Sequence, residues 1–281
     1  YGQIFFTLSI GFGIMIAYAS YLPRKTNLVS NAVVTSLTDS GYAVVAGIAV
    51  FATLGYLAQA KGLPVQEVIQ QGPTLAFVVF PEAISKLPFL REVFGFLFFS
   101  SLTIAGLSSG VSIIEAFTSA VTDKFRIPRK TVVTILCLVG LVGSLPFTTG
   151  AGLYWLDVVD HYLNHYGLVL AGFLECLVVG YVLKARVLRI HINARSRWQL
   201  NRLWDLMIKI LTPGLLLYML VHSAVTELRD GYGGYPASAL IGLGVGWLVI
   251  TAMVAVVLWR YPWEPARFRS DHLPESDEIF Q

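Results

Sequence analysis

Apolar positions fall in seven runs, 2–22, 30–60, 89–122, 131–149, 153–183, 203–225 and 236–259. Each is near or above the ~20 residues that a bilayer core requires of a helix, so the pattern predicts seven transmembrane helices. The second, third and fifth exceed a single span and are expected to tilt or to project past the lipid. Between the second and third, 62–88 is too polar and too often interrupted by proline to be another span. The first run is broken in composition: apolar flanks enclose Ser9, Gly11 and Gly13 at alternate positions, where a helix is weakest. An unwound stretch at membrane depth survives only where protein or a wet cavity satisfies its backbone groups, so the break points to a binding site. The alternative is a glycine-rich packing face on an intact helix.

Composition agrees with the pattern. Hydrophobic residues are 56% of the 281 and charged residues 13%, with a mean hydropathy of +0.68; this is an integral membrane protein. The placement of charge orients it. Sixteen of the 20 Lys and Arg lie in 23–29, 123–130, 184–209 and beyond 259, all on one side of a seven-pass chain, against Lys61, Lys86, Arg91 and Arg229 on the other. The positive-inside bias puts residue 1 outside and the C-terminus in the cytoplasm. Cys137 and Cys176 both lie inside expected spans and read as small buried hydrophobes, not as a disulfide or metal pair. The chain opens at Tyr1 directly in an apolar run, without Met or a signal-peptide pattern, and reads as part of something longer.

The run Gln3-Ile4-Phe5-Phe6-Thr7-Leu8-Ser9-Ile10-Gly11-Phe12-Gly13, followed by Tyr18-Ala19-Ser20-Tyr21, resembles the sixth transmembrane helix of the neurotransmitter:sodium symporter family, bacterial amino-acid branch. The resemblance continues to the end of the chain. Val34 to Ser40 with Ala46-Gly47 and Leu54-Gly55-Tyr56 resembles helix seven, and Gly72 to Phe77 with Phe80 to Ala83 resembles the fourth extracellular loop. Ala105-Gly106-Leu107-Ser108-Ser109 resembles the sodium-binding centre of helix eight, Gly152 to Asp160 with Phe173-Leu174-Glu175 helix ten, and Thr212-Pro213 the proline of helix eleven. On this reading 1–22 is a broken helix six, 23–60 helix seven, 61–88 an extracellular loop with short helices, and 89–183 helices eight to ten. A basic cytoplasmic loop at 184–202, helices eleven and twelve at 203–260 and a polar cytoplasmic tail at 261–281 complete it. Helices one to five are absent.

What the resemblance implies is an all-α fold, the second half of an inverted-repeat sodium symporter, that moves amino acids and sodium ions through a plasma (inner) membrane bilayer and needs the missing helices one to five. It assigns Phe6, Ser9, Phe12, Ser109, Gly110 and Ile113 to the substrate, and Gly110, lacking a side chain, leaves room for an apolar or aromatic one. It assigns Thr7 and Asp39 to one sodium site, and Ala105 through its carbonyl, Ser108 and Ser109 to the other; hydroxyls and carbonyls suit a hard cation. Free N–H groups at a half-helix N-terminus suit the substrate carboxylate. Asp160 matches the acid of the outer gate and Asp123 that of the inner gate, which Ser20 and Tyr21 would brace. Taken without the resemblance, the two Phe residues read as packing, the Ser and Gly run as a close helix contact, and Asp123 as a loop charge.

Asp39 departs from the family pattern, which has Asn there. A carboxylate inside a span is costly enough to be functional by default, and the position one turn on, a Ser in chloride-dependent members, is Ala43. Independence of chloride is therefore expected; the alternative is an Asp39 near the cytoplasmic end of its helix, in water. Glu115 and Glu175 are further acids within spans, and each needs a partner. His161 and His165 are an i,i+4 pair with no third ligand. No catalytic arrangement stands out, so no enzyme is expected, and the basic stretch 184–202 suits anionic lipid headgroups, not nucleic acid. The rivals of a symporter are a seven-span receptor-like protein and a non-transporting membrane protein that binds partners.

Overall fold

The structure, a computed structural model, describes residues 2–23, 26–64 and 72–262, and every element in it is a helix. Ten are distinguished here: α1 Gly2–Thr7, α2 Ile14–Ser20, α3 Leu28–Lys61, α4 Gly72–Ser85, α5 Arg91–Phe125, α6 Arg129–Thr148, α7 Gly152–Val182, α8 Ala185–Asn193, α9 Arg202–Asp230 and α10 Ala237–Arg260. Six of them, α3, α5, α6, α7, α9 and α10, are long and apolar enough to cross a membrane. The expected first span is not one helix: α1 and α2 flank an unwound stretch at 8–13. At 34, 35 and 31 residues, α3, α5 and α7 run to roughly 50 Å, well past the ~30 Å core, as their apolar runs required. The expected tail lies outside the described residues except for Tyr261 and Pro262, as do Arg24, Lys25 and 65–71.

The basic segment 184–202 is not simply a loop, because 185–193 forms α8. Ala185, Leu188, Arg189, Ile192 and Asn193 recur at i, i+3, i+4, i+7 and i+8, which gives the segment an inward face despite its charge.

The chain divides into two compact units, 1–32 with 113–281, and 33–112. In the smaller unit Leu54, Leu57 and Ala58 of α3 bury Val79 of α4, and Phe80 stacks on Phe98 of α5 at 4.9 Å between ring centroids. Glu82 accepts from Lys61 at 2.8 Å and pairs with Lys86 at 3.2 Å; these two ammonium groups hold its carboxyl below the usual carboxylate range. In the larger unit Val158 and Tyr162 of α7 pack on Leu240 of α10, ringed by Tyr166, Tyr232, Tyr235, Leu243 and Leu248. Few side chains are buried, and long apolar ones such as Leu37, Ile48 and Val182 stand outward. That is the surface of a chain whose solvent is lipid.

Helix ends and interruptions have local causes. The Asn27 side chain accepts from the Ser30 N–H at 3.1 Å at the start of α3, and Asn201 accepts from Leu203 at 2.9 Å at the start of α9. Pro213 lies inside α9 and has no N–H to offer the carbonyl of Lys209, four residues back. A π turn over Met207–Leu211 precedes it, and the Tyr181 hydroxyl from α7 donates to the Lys209 carbonyl at 3.0 Å. The proline thus interrupts the ladder without leaving the Lys209 carbonyl bare inside the span.

Candidate substrate and sodium site

The unwound stretch is the centre of the candidate site. The helical ladder of α1 ends with Leu8 N–H to the Ile4 carbonyl at 3.1 Å and a tightened Ser9 N–H to Phe6 at 3.1 Å; it resumes with Ala17 N–H to Gly13 at 3.0 Å. Between them Ser9, Gly11 and Gly13 all take positive φ, 55°, 80° and 73°. The residues that marked the break in sequence are those that make it. Two carry no Cβ, so the left-handed region costs them little; Ser9 does carry one, and strain of this kind concentrates at functional segments.

Two contacts to α7 hold the stretch. A Cβ placed on Gly11 would lie 2.9 Å from Leu168 Cδ1 and 3.2 Å from the Leu168 carbonyl, so only glycine permits this approach. The same Gly11 backbone N–H faces the Glu175 carboxyl of α7 and acts on it electrostatically. Across the break Phe6 and Phe12 meet edge to face, 5.8 Å between ring centroids, with Ser9 midway between them in sequence. The structure therefore brings together two of the three substrate candidates that come from this helix, Phe6 and Phe12. Thr7 ends α1 with its hydroxyl on the Ile4 carbonyl at 3.3 Å.

The other candidates lie on the long helices. On α5 the Ser108 hydroxyl donates to the Ala105 carbonyl at 2.9 Å, which puts two of the expected sodium oxygens side by side. Ser109 is exposed and Gly110 half-buried, and Ile113 lies one turn beyond Ser109 on the same helix. Asp39 sits eleven residues beyond the start of α3, roughly 16 Å along its axis and well clear of the helix end, half-buried, with no hydrogen bond or ion pair among the described residues. Thr7 belongs to the larger unit, and Asp39, Ala105, Ser108 and Ser109 to the smaller.

Of the gating candidates, Asp160 accepts from Asn164 at 2.8 Å, Ser20 bonds the Ala17 carbonyl at 2.6 Å, and Asp123 is exposed on α5. Tyr21 does more than expected. Its hydroxyl donates to Glu115 and lies 3.2 Å from Ser119, while Arg129 grips both oxygens of the same carboxylate, one at 2.8 Å. The Glu115 side chain is only 11% exposed, so the guanidinium and the phenol are what allow a charge there. A second cluster joins α7 to α9. Glu227 accepts from Tyr166 at 2.5 Å and meets His161 Nε2 at 3.1 Å, His161 stacks on Tyr232 at 3.6 Å, and Asp157 accepts from Tyr232 at 3.2 Å and Tyr235 at 2.8 Å. His161 is thereby engaged with a carboxylate, and the described residues hold no group of three or more metal-ligating side chains. Reading the sequence missed both clusters; its one signal was the presence of unexplained acids within spans.

The profile of the sodium:neurotransmitter symporter family matches residues 1–263. Among curated proteins, an uncharacterized sodium-dependent transporter of Methanocaldococcus jannaschii is 42% identical over 260 residues, 92% of this chain and 53% of that protein. The human sodium- and chloride-dependent neutral and basic amino acid transporter B(0+) is 33% identical over 265 residues, 92% of this chain and 40% of that one. The sodium- and chloride-dependent glycine transporter 2 of Xenopus laevis is 29% identical over 258 residues, 90% and 32% respectively. The chain spans about half or less of the length of these relatives. With a profile match that covers nearly all of its residues, and with the broken helix the match begins on, the chain belongs to the sodium:neurotransmitter symporter family.

Proposed function

We propose that this chain carries one half of the transport site of a sodium-coupled amino-acid symporter of the bacterial branch, the other half coming from helices equivalent to the family's first five. The observation that carries the reading is the unwound stretch 8–13, set close against α7 at Gly11 and Leu168, in an otherwise apolar helix pair. Backbone that has left its helical ladder at membrane depth offers N–H and C=O groups to the carboxylate and ammonium of an amino acid. Counted with its break, the α1–α2 pair is the first of seven crossings in a plasma (inner) membrane, with the C-terminus in the cytoplasm. Its likeness to the B(0+) amino acid transporter and to a glycine transporter points to amino acids as the substrate class.

Within that class Phe6, Ser9 and Phe12, with Ser109, Gly110 and Ile113, enclose the substrate side chain, and the edge-to-face phenyl pair favours an apolar or aromatic one. Thr7 and Asp39 ligate one sodium; Ala105, Ser108 and Ser109 ligate the other. The hydrogen bond from Ser108 to Ala105 supports the second set, because it aligns two oxygens before any ion arrives. A carboxylate at Asp39 supplies within one residue the negative charge that chloride provides elsewhere, so transport proceeds without chloride. Sodium and substrate couple because each stabilises the same closed arrangement, with Asp160 closing the outer side and Asp123, braced by Ser20 and Tyr21, the inner.

The test is binding of labelled amino acids to this chain combined with a first-to-fifth-helix partner, in sodium against choline and with chloride exchanged for gluconate. Binding that needs sodium, ignores chloride, and becomes chloride-sensitive or is lost in Asp39→Asn is the expected result. Binding indifferent to sodium would overturn the mechanism.

A further inference from the structure

Where α7 ends at Val182 the chain reverses through Lys184, at φ 59°, and enters α8 without a linker. The inward face of α8 is fastened. Ala185 is fully buried, Arg189 Nε lies 3.0 and 3.1 Å from the two oxygens of Asp205 on α9, and Asn193 exchanges two hydrogen bonds of 2.8 Å with the backbone of Leu200. The rotation of the helix about its own axis is therefore set, and so is what it turns outward.

That outer face carries Arg186, Val187, Ile190 and His191, all exposed, the two aliphatic residues by about half of their surface: 49% for Val187 and 51% for Ile190. Beyond the helix Arg197 and Trp198 are exposed as well. Two features say what covers it. The first is charge: seven cations lie in 184–209 against a single carboxylate, Asp205, and Arg189 already occupies that one. The second is tethering, since α8 begins three residues after one membrane-length helix and ends nine before the next, which keeps its first residue within about 10 Å of the end of α7. A face facing water alone has no use for Val187 and Ile190. Cations, aliphatic side chains and a tryptophan held together at that level match the headgroup and upper acyl region of an anionic leaflet.

We propose that α8, with Arg197 and Trp198, is an interfacial anchor for acidic phospholipids, which seats Val187 and Ile190 at the acyl boundary and sets Arg186 and Arg197 against anionic headgroups. The site is independent of the transport reading, and its test uses neither sodium nor substrate.

The chain is placed in nanodiscs of phosphatidylcholine alone or with about one third phosphatidylglycerol, and amide exchange over 186–198 is followed by mass spectrometry. Anionic lipid slows exchange there, and high salt removes the effect. Each of Arg186→Gln and Arg197→Gln lowers the lipid-dependent protection about fivefold, the equivalent of ~1 kcal/mol per cation near such a surface. Unchanged exchange in α7 and α9 shows that a variant is still folded. Protection equal in neutral and anionic discs, or unaffected by both substitutions, overturns the proposal and gives this face to a protein partner or to water.

Discussion

Replacing Gly11 by alanine probes the feature on which the site rests. Two costs add at that position. An alanine held at φ 80° sits in the left-handed region, at about 1–2 kcal/mol. Its methyl would also lie 2.9 Å from Leu168 Cδ1 and 3.2 Å from the Leu168 carbonyl. The Leu168 methyl can turn aside, but the carbonyl belongs to the backbone of α7, so overpacking contributes a further ~1–3 kcal/mol. Gly13 is the control, because its φ is 73° and nothing lies within 4 Å of a Cβ placed there, so only the first cost applies. Gly11→Ala should therefore destabilise the folded chain by about 2–5 kcal/mol and Gly13→Ala by about 1–2 kcal/mol. Ser9→Gly relieves strain at φ 55° but adds freedom to the unfolded chain, so it should be close to neutral. Thermal unfolding of the three variants in nanodiscs, followed by near-ultraviolet circular dichroism, orders them. Equal midpoints for Gly11→Ala and Gly13→Ala would refute the close approach to α7, and a large loss in Ser9→Gly would refute the strained backbone.

Two further outcomes follow from the side-chain clusters. Arg129→Ala should destabilise more than Tyr21→Phe, which removes one hydrogen bond worth about 1 kcal/mol, and Arg129→Ala with Glu115→Gln should be milder than Arg129→Ala alone. The neutral amide leaves no uncompensated charge, so a double variant as damaged as the sum of its parts would count against the pairing. Burial, reinforced by Asp157 beside it, pushes the Tyr232 phenol up to about 12. Above the ordinary tyrosine value near 10 the unfolded chain loses this proton while the folded chain keeps it, so stability falls as pH rises from about 10 to about 12. Tyr232→Phe should flatten that decline and remove one late-titrating phenol from the ultraviolet absorbance; an unchanged titration would contradict the buried contact.

What could be read from sequence alone divides by range. The break in the first span was legible because it is written in adjacent residues: Ser9, Gly11 and Gly13 fail locally as helix formers, whatever surrounds them. The long helices were legible for the same reason, since the bilayer sets their length and composition. Glu115 and Glu175 were legible only as a deficit, acids that needed something. What meets them, Arg129 beyond a turn and the backbone of Gly11 164 residues away, depends on how helices come together, and no spacing rule announces it. The helix within 184–202 was hidden for a third reason. Its inward stripe from Ala185 to Ile192 includes Arg189, which reads as a surface charge until Asp205 of the next helix neutralises it. The same argument explains why Pro213 can stand inside a span: the missing N–H is a local fact, while the Tyr181 hydroxyl that compensates for it comes from another helix. In a membrane chain apolar patterning specifies where helices run, because lipid rewards it everywhere. The few polar groups within them specify which helices must meet, because each has to find its partner inside the protein.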